Sequence, residues 1–119
     1  MNAQRKIIFH EHYFTDFYLE QTEKVQEKIE YVFNLIRNVQ NVPKKFLEHL
    51  SGTNGLYEIR IEFESNIYRI FCCFDKGSLV ILFNGFQKKT QKTPKNELDL
   101  ALKLKDEYFK TKQKVNGNN

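Results

Sequence analysis

The stretch that decides the fold is GLYEIRIEFESNIYRIFCCFDKGSLVILFNGF, residues 55–86, because it holds three candidate strands in succession. Residues 55–63 alternate between apolar and charged side chains, which predicts a strand with one face in a core. Residues 66–74 and 78–86 are richer in apolar side chains and are expected to be buried on both faces. Short polar segments separate the three strands, so the stretch predicts an antiparallel meander.

Helices are expected on either side of this meander in the sequence. Apolar residues at helical spacing predict an amphipathic helix from about Gln21 to Asn38. Before it, Lys6–Phe9 is a candidate strand, and after it KKFLEHL, residues 44–50, is expected to add one helical turn. Beyond the meander, Thr93 suits the N-cap and Pro94 the first position of a C-terminal helix.

The chain is long enough for one domain with one hydrophobic core. Its 119 residues are 40% hydrophobic and include only five Gly and two Pro, as is typical of a folded chain. We expect a single domain over residues 1–112 and a disordered tail over residues 113–119. No segment approaches the ~20 apolar residues that span a membrane, and residues 1–9 lack the apolar core of a signal peptide. These features predict a soluble, cytoplasmic protein without a membrane partner.

Positive charge is concentrated in the last third of the chain. Residues 1–85 carry ten Lys/Arg and eleven Asp/Glu, a net charge of −1, whereas residues 86–119 carry nine Lys and four acids, a net charge of +5. This asymmetry indicates an anionic partner, with nucleic acid favoured over membrane. A solvated lysine-rich tail from residue 110 onward would produce a similar pattern.

No metal or cofactor site is expected. Cys72 and Cys73 are adjacent, so in a strand they point to opposite faces and neither has a second cysteine with which to pair. The sequence contains no Walker motif, nucleophile elbow or HExxH motif, which leaves nucleotide hydrolysis, serine hydrolase and metalloprotease chemistry unsupported.

Basic side chains are expected to meet at one end of the sheet. If Ser65–Asn66 is a two-residue turn, Arg60 and Arg69 become diagonal neighbours on one face. If Lys76–Gly77 forms the next turn, Asn84 pairs with Arg69 on that face. The positive end of the C-terminal helix would lie close by, as a phosphate site requires. The side chains expected at this site are Arg60, Arg69, Asn84 and Lys88.

Each part of this expected site also has a plain structural explanation. The two arginines could neutralise Glu58 and Glu62 across the strands, as surface ion pairs often do. A run of lysines before a helix is often a solvated loop. Gly85, isolated in a strand, indicates a bulge or a close backbone approach rather than chemistry.

Two segments resemble a known family. LSGTNGLYEIRIEFESNIYRIFCCF, residues 50–74, and ILFNGFQKKTQKTPKNELDLA, residues 81–101, resemble the phage-derived, HigB-like branch of the RelE/ParE toxins of bacterial type II toxin-antitoxin modules. In that branch a G-L-[YW]-E-[LI]-R strand, a Y-R-[IL] strand and an F-x-K-K-T-x-K-T-P segment recur in this order. The resemblance covers roughly residues 6–110, and its last motif is the most specific.

The resemblance implies a RelE-like α+β fold, with a curved antiparallel sheet, N-terminal helices and a C-terminal helix. It also implies an mRNA interferase that cleaves messages in the ribosomal A site and is neutralised by a cognate helix-turn-helix antitoxin similar to HigA. By motif, two arginines match basic residues that contact the scissile phosphate, and the lysines match the basic segment after the last strand. The expected catalytic residues are Arg60, Arg69, Lys88 and Lys89, and the expected RNA-binding residues are Asn84, Lys92 and Lys95.

The expected reaction is metal-independent attack of a ribose 2′-OH on the adjacent phosphate. Lys88 or Lys89 would serve as general base, but Glu58 stands where RelE itself carries a lysine, which leaves the base open. Two other functions fit the same residues: a ParE-like inhibitor of DNA gyrase, and a basic nucleic-acid-binding module without catalysis. The same fold hosts several functions, so the fold does not decide among them.

Overall fold

The computed structural model describes residues 4–117, which form an α+β fold of three helices and one five-stranded sheet. The expected fold class is therefore confirmed. Within the sheet the strand order is β1-β5-β4-β3-β2. In chain order the elements are β1 (Lys6–Phe9), α1 (Tyr13–Leu19), α2 (Glu23–Asn38), β2 (Leu47–His49), β3 (Tyr57–Phe63), β4 (Asn66–Asp75), β5 (Leu79–Lys88) and α3 (Lys95–Gly117).

The central part of the sheet is the predicted antiparallel meander, β3-β4-β5. The two outer strands extend it differently: β1 pairs with β5 in parallel, so the sheet is mixed, and β2 pairs with β3 antiparallel. The helical turn expected over residues 44–50 is wrong, since Leu47–His49 is a strand. Hydrogen bonds to the neighbouring chain explain the difference, because the Arg60 amide donates to the carbonyl of Phe46 and holds this segment extended.

Both faces of the sheet are buried, as the apolar strands predict. On β4 the side chains alternate between two cores: Ile70 and Cys72 pack with α1 and α2, and Phe71 and Cys73 pack with α3. The two cysteines are free and buried. Burial raises the pKa of the Cys72 thiol and raises that of Cys73 to about 11, so both remain protonated apolar packing residues at neutral pH.

The first hairpin has a different register from the one expected. Phe63 pairs with Asn66, so the two-residue turn is Glu64–Ser65 rather than Ser65–Asn66. Glu64 adopts the left-handed conformation, with φ of 55°. The shift sets Arg60 directly opposite Arg69 instead of diagonal to it. Because the pairing moves by an even number of residues, the two arginines still share a face.

The second hairpin also departs from the expected register. Asp75 pairs with Leu79, so a three-residue loop replaces the predicted two-residue turn. Further along, the pairing shifts between Ile70 and Cys72, where Phe83 and Asn84 together oppose Phe71 in a β-bulge. The residue opposite Arg69 is consequently Phe86 and not Asn84.

Gly85 follows the bulge and permits a close approach between α1 and the sheet. A Cβ atom at Gly85 would lie 2.6 Å from Cδ2 of Phe17. No side chain other than hydrogen fits there without displacement of the Phe17 ring. The interpretation of Gly85 as a bulge or close-approach residue is confirmed.

Two of the three helices, α2 and α3, begin close to where the sequence predicts, whereas the residue pattern did not predict α1. Thr22 caps α2, since its side chain accepts a hydrogen bond from the Val25 amide, and the helix ends at Asn38 as expected. For α3, the carbonyl of Pro94 accepts from the amides of Glu97 and Leu98, so Pro94 and not Thr93 precedes the first helical residue. The helix continues to Gly117. The domain boundary at residue 112 stays a prediction, and residues 118–119 lie outside the described residues.

The C-terminal half of α3 is attached to the sheet through a buried carboxylate. Asp75 is 6% exposed and accepts hydrogen bonds from Tyr108 Oη at 2.8 Å and Lys112 Nζ at 2.6 Å. The hydrogen bond from Lys112 is the main reason why the pKa of Asp75 is lowered. Burial and the bond to Asp75 raise the pKa of Tyr108 to about 12. Over residues 4–117, no helix is both long and apolar enough to cross a membrane.

Candidate phosphate-binding site

Arg69 is a buried cation with unused hydrogen-bonding capacity. The residue is 7% exposed, and its Nη1 donates to the carbonyl of Tyr68 at 3.2 Å. Among residues 4–117, Arg69 Nε has no hydrogen-bond partner, and the carboxylate of Glu58 lies 3.6 Å from it. Burial lowers the pKa of Arg69, although a guanidinium remains charged at any physiological pH. An anion that enters beside Arg69 would be attracted by the charge of its guanidinium.

Arg69 opens into a pocket of about 530 Å³ at the end of the meander, which we call the cationic pocket. Lys88 reaches it because Lys88 pairs with Ile67, two residues from Arg69 on the same strand and therefore on the same face. Lys89 follows directly and contributes a third basic side chain. The residues that line the cationic pocket are Ser65, Ile67, Arg69, Lys88, Lys89, Thr90 and Gln91.

Arg60 is neutralised by neighbouring acids instead of facing this pocket. Its Nε and Nη2 donate to Glu58 Oε1 at 3.0 Å and 2.9 Å, and Nη2 also contacts Glu48. The side chain lines a separate cavity of about 190 Å³. The expectation that both arginines converge on one phosphate is therefore wrong for Arg60. The alternative, that the arginines pair with Glu58, is confirmed: Arg60 pairs with it along β3, and Arg69 lies 3.6 Å from it across β3 and β4. Glu48 was missed because it lies on the unpredicted strand β2.

Asn84 also lies outside the cationic pocket. Its Nδ2 donates to the backbone carbonyl and to Oε1 of Glu97, both at 3.0 Å, so the amide joins β5 to the first turn of α3. No residue of α3 lines the cationic pocket within the described part of the chain. The expected contribution of the helix N-terminus to the phosphate site is thus not seen.

The two remaining predicted RNA-binding lysines differ from Lys88 and Lys89. Neither Lys92 nor Lys95 lines the cationic pocket. Lys95 is exposed and forms an ion pair with Asp99 at 3.1 Å, one turn further along α3. The carbonyl of Lys92 accepts a hydrogen bond from Thr90 and helps to shape the loop that follows β5.

A second pocket of about 530 Å³, which we call the side pocket, adjoins the first. It lies between α1, β5 and the first turns of α3, and Lys89 lines both pockets. The sequence offered no signal for it beyond the close approach at Gly85. Its lining residues are Tyr13, Phe17, Glu20, Gln21, Asn84, Gly85, Phe86, Gln87, Lys89, Glu97 and Leu100.

Metal ligands are not grouped in the described structure. Among residues 4–117, no three His, Cys, Asp or Glu side chains stand close enough together to hold a metal ion. The chemistry available at the cationic pocket is therefore electrostatic: a buried guanidinium and two ammonium groups around a space that admits an anion.

The fold and this pocket define a small RelE-like α+β protein with a cationic site on its sheet. Over residues 16–106 the chain matches the family described as Phage derived protein Gp49-like (DUF891). The match covers more than half of the chain, which therefore belongs to this phage-derived, toxin-like family. No significant match to a curated protein was found.

Proposed function

We propose that the protein is the toxin of a type II toxin-antitoxin module, from the HigB-like branch of the RelE/ParE toxins, and that it cleaves mRNA on the ribosome. The observation that carries this proposal is Arg69, a buried arginine whose Nε makes no hydrogen bond among residues 4–117 and whose side chain lines a pocket shared with Lys88 and Lys89. Membership of a phage-derived, toxin-like family supports the same function.

In the proposed reaction the ribose 2′-OH attacks the adjacent phosphorus and the 5′-oxygen of the next nucleotide leaves. The products are a 2′,3′-cyclic phosphate and a 5′-OH end. Arg69 would stabilise the doubly charged phosphorane, since a guanidinium donates to two oxygens at once. One of Lys88 and Lys89, in its neutral amine form, would accept the proton of the 2′-OH, and the other, as an ammonium, would give a proton to the leaving 5′-oxygen; proton transfer would be the weak part of the catalysis.

In this proposal the ribosome orients the mRNA substrate for the reaction. Alignment of the 2′-OH for in-line attack contributes several kcal/mol in related intramolecular reactions, on the order of 7 or more. A weak base thus suffices when the A site holds the message in the reactive geometry. The cognate antitoxin, a helix-turn-helix protein with an acidic or amphipathic segment, would cover the cationic pocket in the inactive complex.

Induced expression followed by 5′-end mapping of cellular RNA tests this function. We expect new 5′-OH ends within translated messages, and none in cells that express an Arg69→Ala variant at the same level. Purified protein should cleave a message in a translating extract and spare a message with 2′-deoxy substitution at the cut site. New ends that carry a 5′-phosphate, or undiminished cleavage of the 2′-deoxy message, would contradict the mechanism.

One observation favours a second function, that of a non-catalytic binding protein such as a ParE-like gyrase inhibitor. Glu48 and Glu58 neutralise Arg60, so only one of the two expected arginines is available to a phosphate. A gyrase supercoiling assay separates the two functions. Inhibition of supercoiling without new RNA ends would favour the second function, and new RNA ends without inhibition would favour the nuclease.

A further inference from the structure

The strand β1 forms one edge of the sheet and has one open side. Over residues 4–117, β5 is the only strand that pairs with it. The amides of Lys6 and His10 donate to backbone carbonyls on the β5 side, both at 3.0 Å. Successive residues of a strand direct their N–H and C=O groups to opposite sides. The backbone groups of Ile7 and Phe9 therefore point towards the open edge.

Large apolar side chains are exposed along this edge. Ile8 is 41% exposed and Phe9 is 55% exposed. Natural edge strands usually carry several charges or a proline that prevent association with other strands, but Lys6–Phe9 has one charged side chain and no proline. An exposed apolar edge with outward backbone groups favours the addition of another strand.

We propose that the open edge of β1 pairs with β1 of a second copy of this chain, antiparallel, in a dimer with twofold symmetry. In this register Ile7 of one copy and Phe9 of the other exchange backbone hydrogen bonds, and the symmetry axis repeats the exchange. Ile8 then lies opposite Ile8 of the second copy, where side chains are close enough to pack. Each β1 has one open side, so the assembly closes at two copies. The inference does not depend on the proposed RNA cleavage.

The charges at the two ends of β1 complement each other in the antiparallel arrangement. Lys6 lies at the start of the strand and is exposed. At the other end, the carboxylates of Glu11 and Glu107 lie 4.0 Å and 3.9 Å from His10 Nε2, and their side chains are 53% and 45% exposed. The register sets Lys6 opposite His10 of the second copy, so its ammonium group comes within reach of these two acids. A parallel arrangement would instead bring like ends together.

The structure on either side of β1 permits this pairing and limits its length. At Arg5 the end of α2 covers the edge, because the Arg5 amide donates to the carbonyl of Arg37 at 3.1 Å. The residue of the second copy that would fall opposite Arg5 is Glu11, which adopts the left-handed conformation, with φ of 63°, and ends the strand. The second chain thus turns away where α2 covers the edge. A contact this short should bury less than the ~1,200–2,000 Å² of stable complexes, so a weak dimer is expected.

Sedimentation equilibrium of the purified full chain tests the association. We expect a reversible monomer–dimer equilibrium with a dissociation constant between ~1 μM and ~1 mM. Amide hydrogen exchange locates the interface: exchange at Ile7 and Phe9 should slow as the dimer becomes populated. A chain that stays monomeric up to ~1 mM, or that forms assemblies larger than a dimer, would overturn the proposal.

A charge at the symmetry axis should disrupt the dimer. Ile8→Glu places two carboxylates opposite each other and should weaken association by at least about tenfold. Leu19→Glu is the matched control, since it makes a similar change at a leucine on α1 that is 70% exposed, and it should leave association unchanged. Circular dichroism at low concentration verifies that each variant is folded. A dimer that is unaffected by Ile8→Glu would overturn the proposal.

An exchange of charges tests the antiparallel register with exposed residues, whose substitution leaves the core intact. Lys6→Glu sets an acid against the acids of the second copy, and Glu107→Lys sets a base against Lys6, so each should weaken the dimer several-fold. The double variant restores opposite charges across the axis and should recover most of the lost affinity. A double variant that associates no better than the weaker of the two single variants would overturn the register.

Discussion

Arg60 and Arg69 face each other directly across β3 and β4, and both lie within ion-pair distance of the carboxylate of Glu58. The two arginines contact this carboxylate differently. Arg60 donates two hydrogen bonds to Glu58, at 3.0 Å and 2.9 Å, while Arg69 Nε lies 3.6 Å away and forms none. One arginine is therefore used to hold the acid and the other remains able to bind a ligand.

Arg69→Ala should abolish RNA cleavage in a protein that still folds. Loss of one directed donor to a developing negative charge typically costs roughly 100-fold to 1,000-fold in rate. Arg69 is buried, so we also expect a loss of about 1–3 kcal/mol in the free energy of unfolding. Cleavage in a translating extract and urea unfolding measure the two effects. Arg37→Ala, on α2, is the matched control and should retain activity. A folded Arg69→Ala protein with full activity would show that Arg69 does not belong to the site.

Lys88 and Lys89 should matter more for RNA binding than Lys92 and Lys95. The first pair lines the cationic pocket and the second pair does not. Lys88→Ala and Lys89→Ala should each lower RNA affinity and reduce the salt dependence of binding by about one phosphate contact. Lys95→Ala is the control for general charge, because Lys95 is exposed and paired with Asp99. Equal losses for all four variants would indicate a diffuse basic surface instead of a pocket.

Glu58→Gln should strengthen anion binding at Arg69. The substitution removes a negative charge 3.6 Å from Arg69 Nε while the amide oxygen can still accept from Arg60. We expect RNA affinity to rise several-fold at low salt and the gain to diminish at high salt, where charges are screened. Affinity would be measured by anisotropy at two salt concentrations. Glu27→Gln, which changes an exposed acid on α2 paired with Lys24, is the control. Unchanged or weaker binding in Glu58→Gln would mean that Glu58 does not restrain Arg69.

Asp75 should make the stability of the fold sensitive to acid. Its pKa is lowered below the ordinary 3.8, mainly by the hydrogen bond from Lys112, so the folded state favours the ionised carboxylate. That contribution is present above the unfolded-state pKa of ~3.9 and is lost as pH falls through the lower folded-state value. The free energies of urea unfolding of wild type and Asp75→Asn should differ by a constant amount above about pH 5. The difference should shrink as pH falls below about 4 and close only below the folded-state pKa.

The control for Asp75 is Asp106→Asn, since Asp106 is an exposed carboxylate whose partner is Lys110. We expect little change in unfolding free energy for Asp106→Asn at any pH, because exposed ion pairs contribute about 0–1 kcal/mol. If the difference in unfolding free energy between wild type and Asp75→Asn were unchanged at pH 3, packing and not the charge of Asp75 would attach α3 to the sheet.

Gly85→Ala should destabilise the protein by about 1–3 kcal/mol, because the added Cβ would lie 2.6 Å from the Phe17 ring. The free energy of urea unfolding measures this loss. The double variant Gly85→Ala with Phe17→Leu replaces the flat ring with a smaller side chain and should be less unstable than the sum of the two single variants predicts. Additive losses of unfolding free energy would show that the added Cβ atom does not clash with the Phe17 side chain.

Much of the fold follows from local patterns in the sequence. The strands at Lys6–Phe9 and in the meander, and the helix that ends at Asn38, were predicted because apolar periodicity and turn residues act over a few positions. β2 was not predicted, since a three-residue strand carries little pattern of its own. Its extended conformation depends on backbone hydrogen bonds to β3, whose paired residues lie eight or more positions away in the sequence.

The residues of the candidate site also fall into those that the sequence placed correctly and those that it did not. Arg69 and Lys88 were expected on one face and do line one pocket, because strand alternation survives an even shift in register. Lys89, expected only from the family resemblance, lines the same pocket. Arg60 and Asn84 were expected at the same site but do not line this pocket, because their partners Glu48 and Glu97 lie on β2 and α3. A sequence pattern indicates which side chains share a face of a strand. It does not indicate which side chains from other elements pair with them.

The sequence by itself determined the α+β class, the meander and the concentration of basic residues after β5, since composition and periodicity of 2 or 3.6 residues are local properties of the chain. Only the tertiary structure decided the hairpin registers, the bulge at Phe83 and Asn84, and the unequal pairing of the two arginines with Glu58. The physical reason is that these features arise from backbone pairing and side-chain contacts between distant segments. Their energies depend on which segments meet, and a one-residue difference in a turn changes every pair that follows.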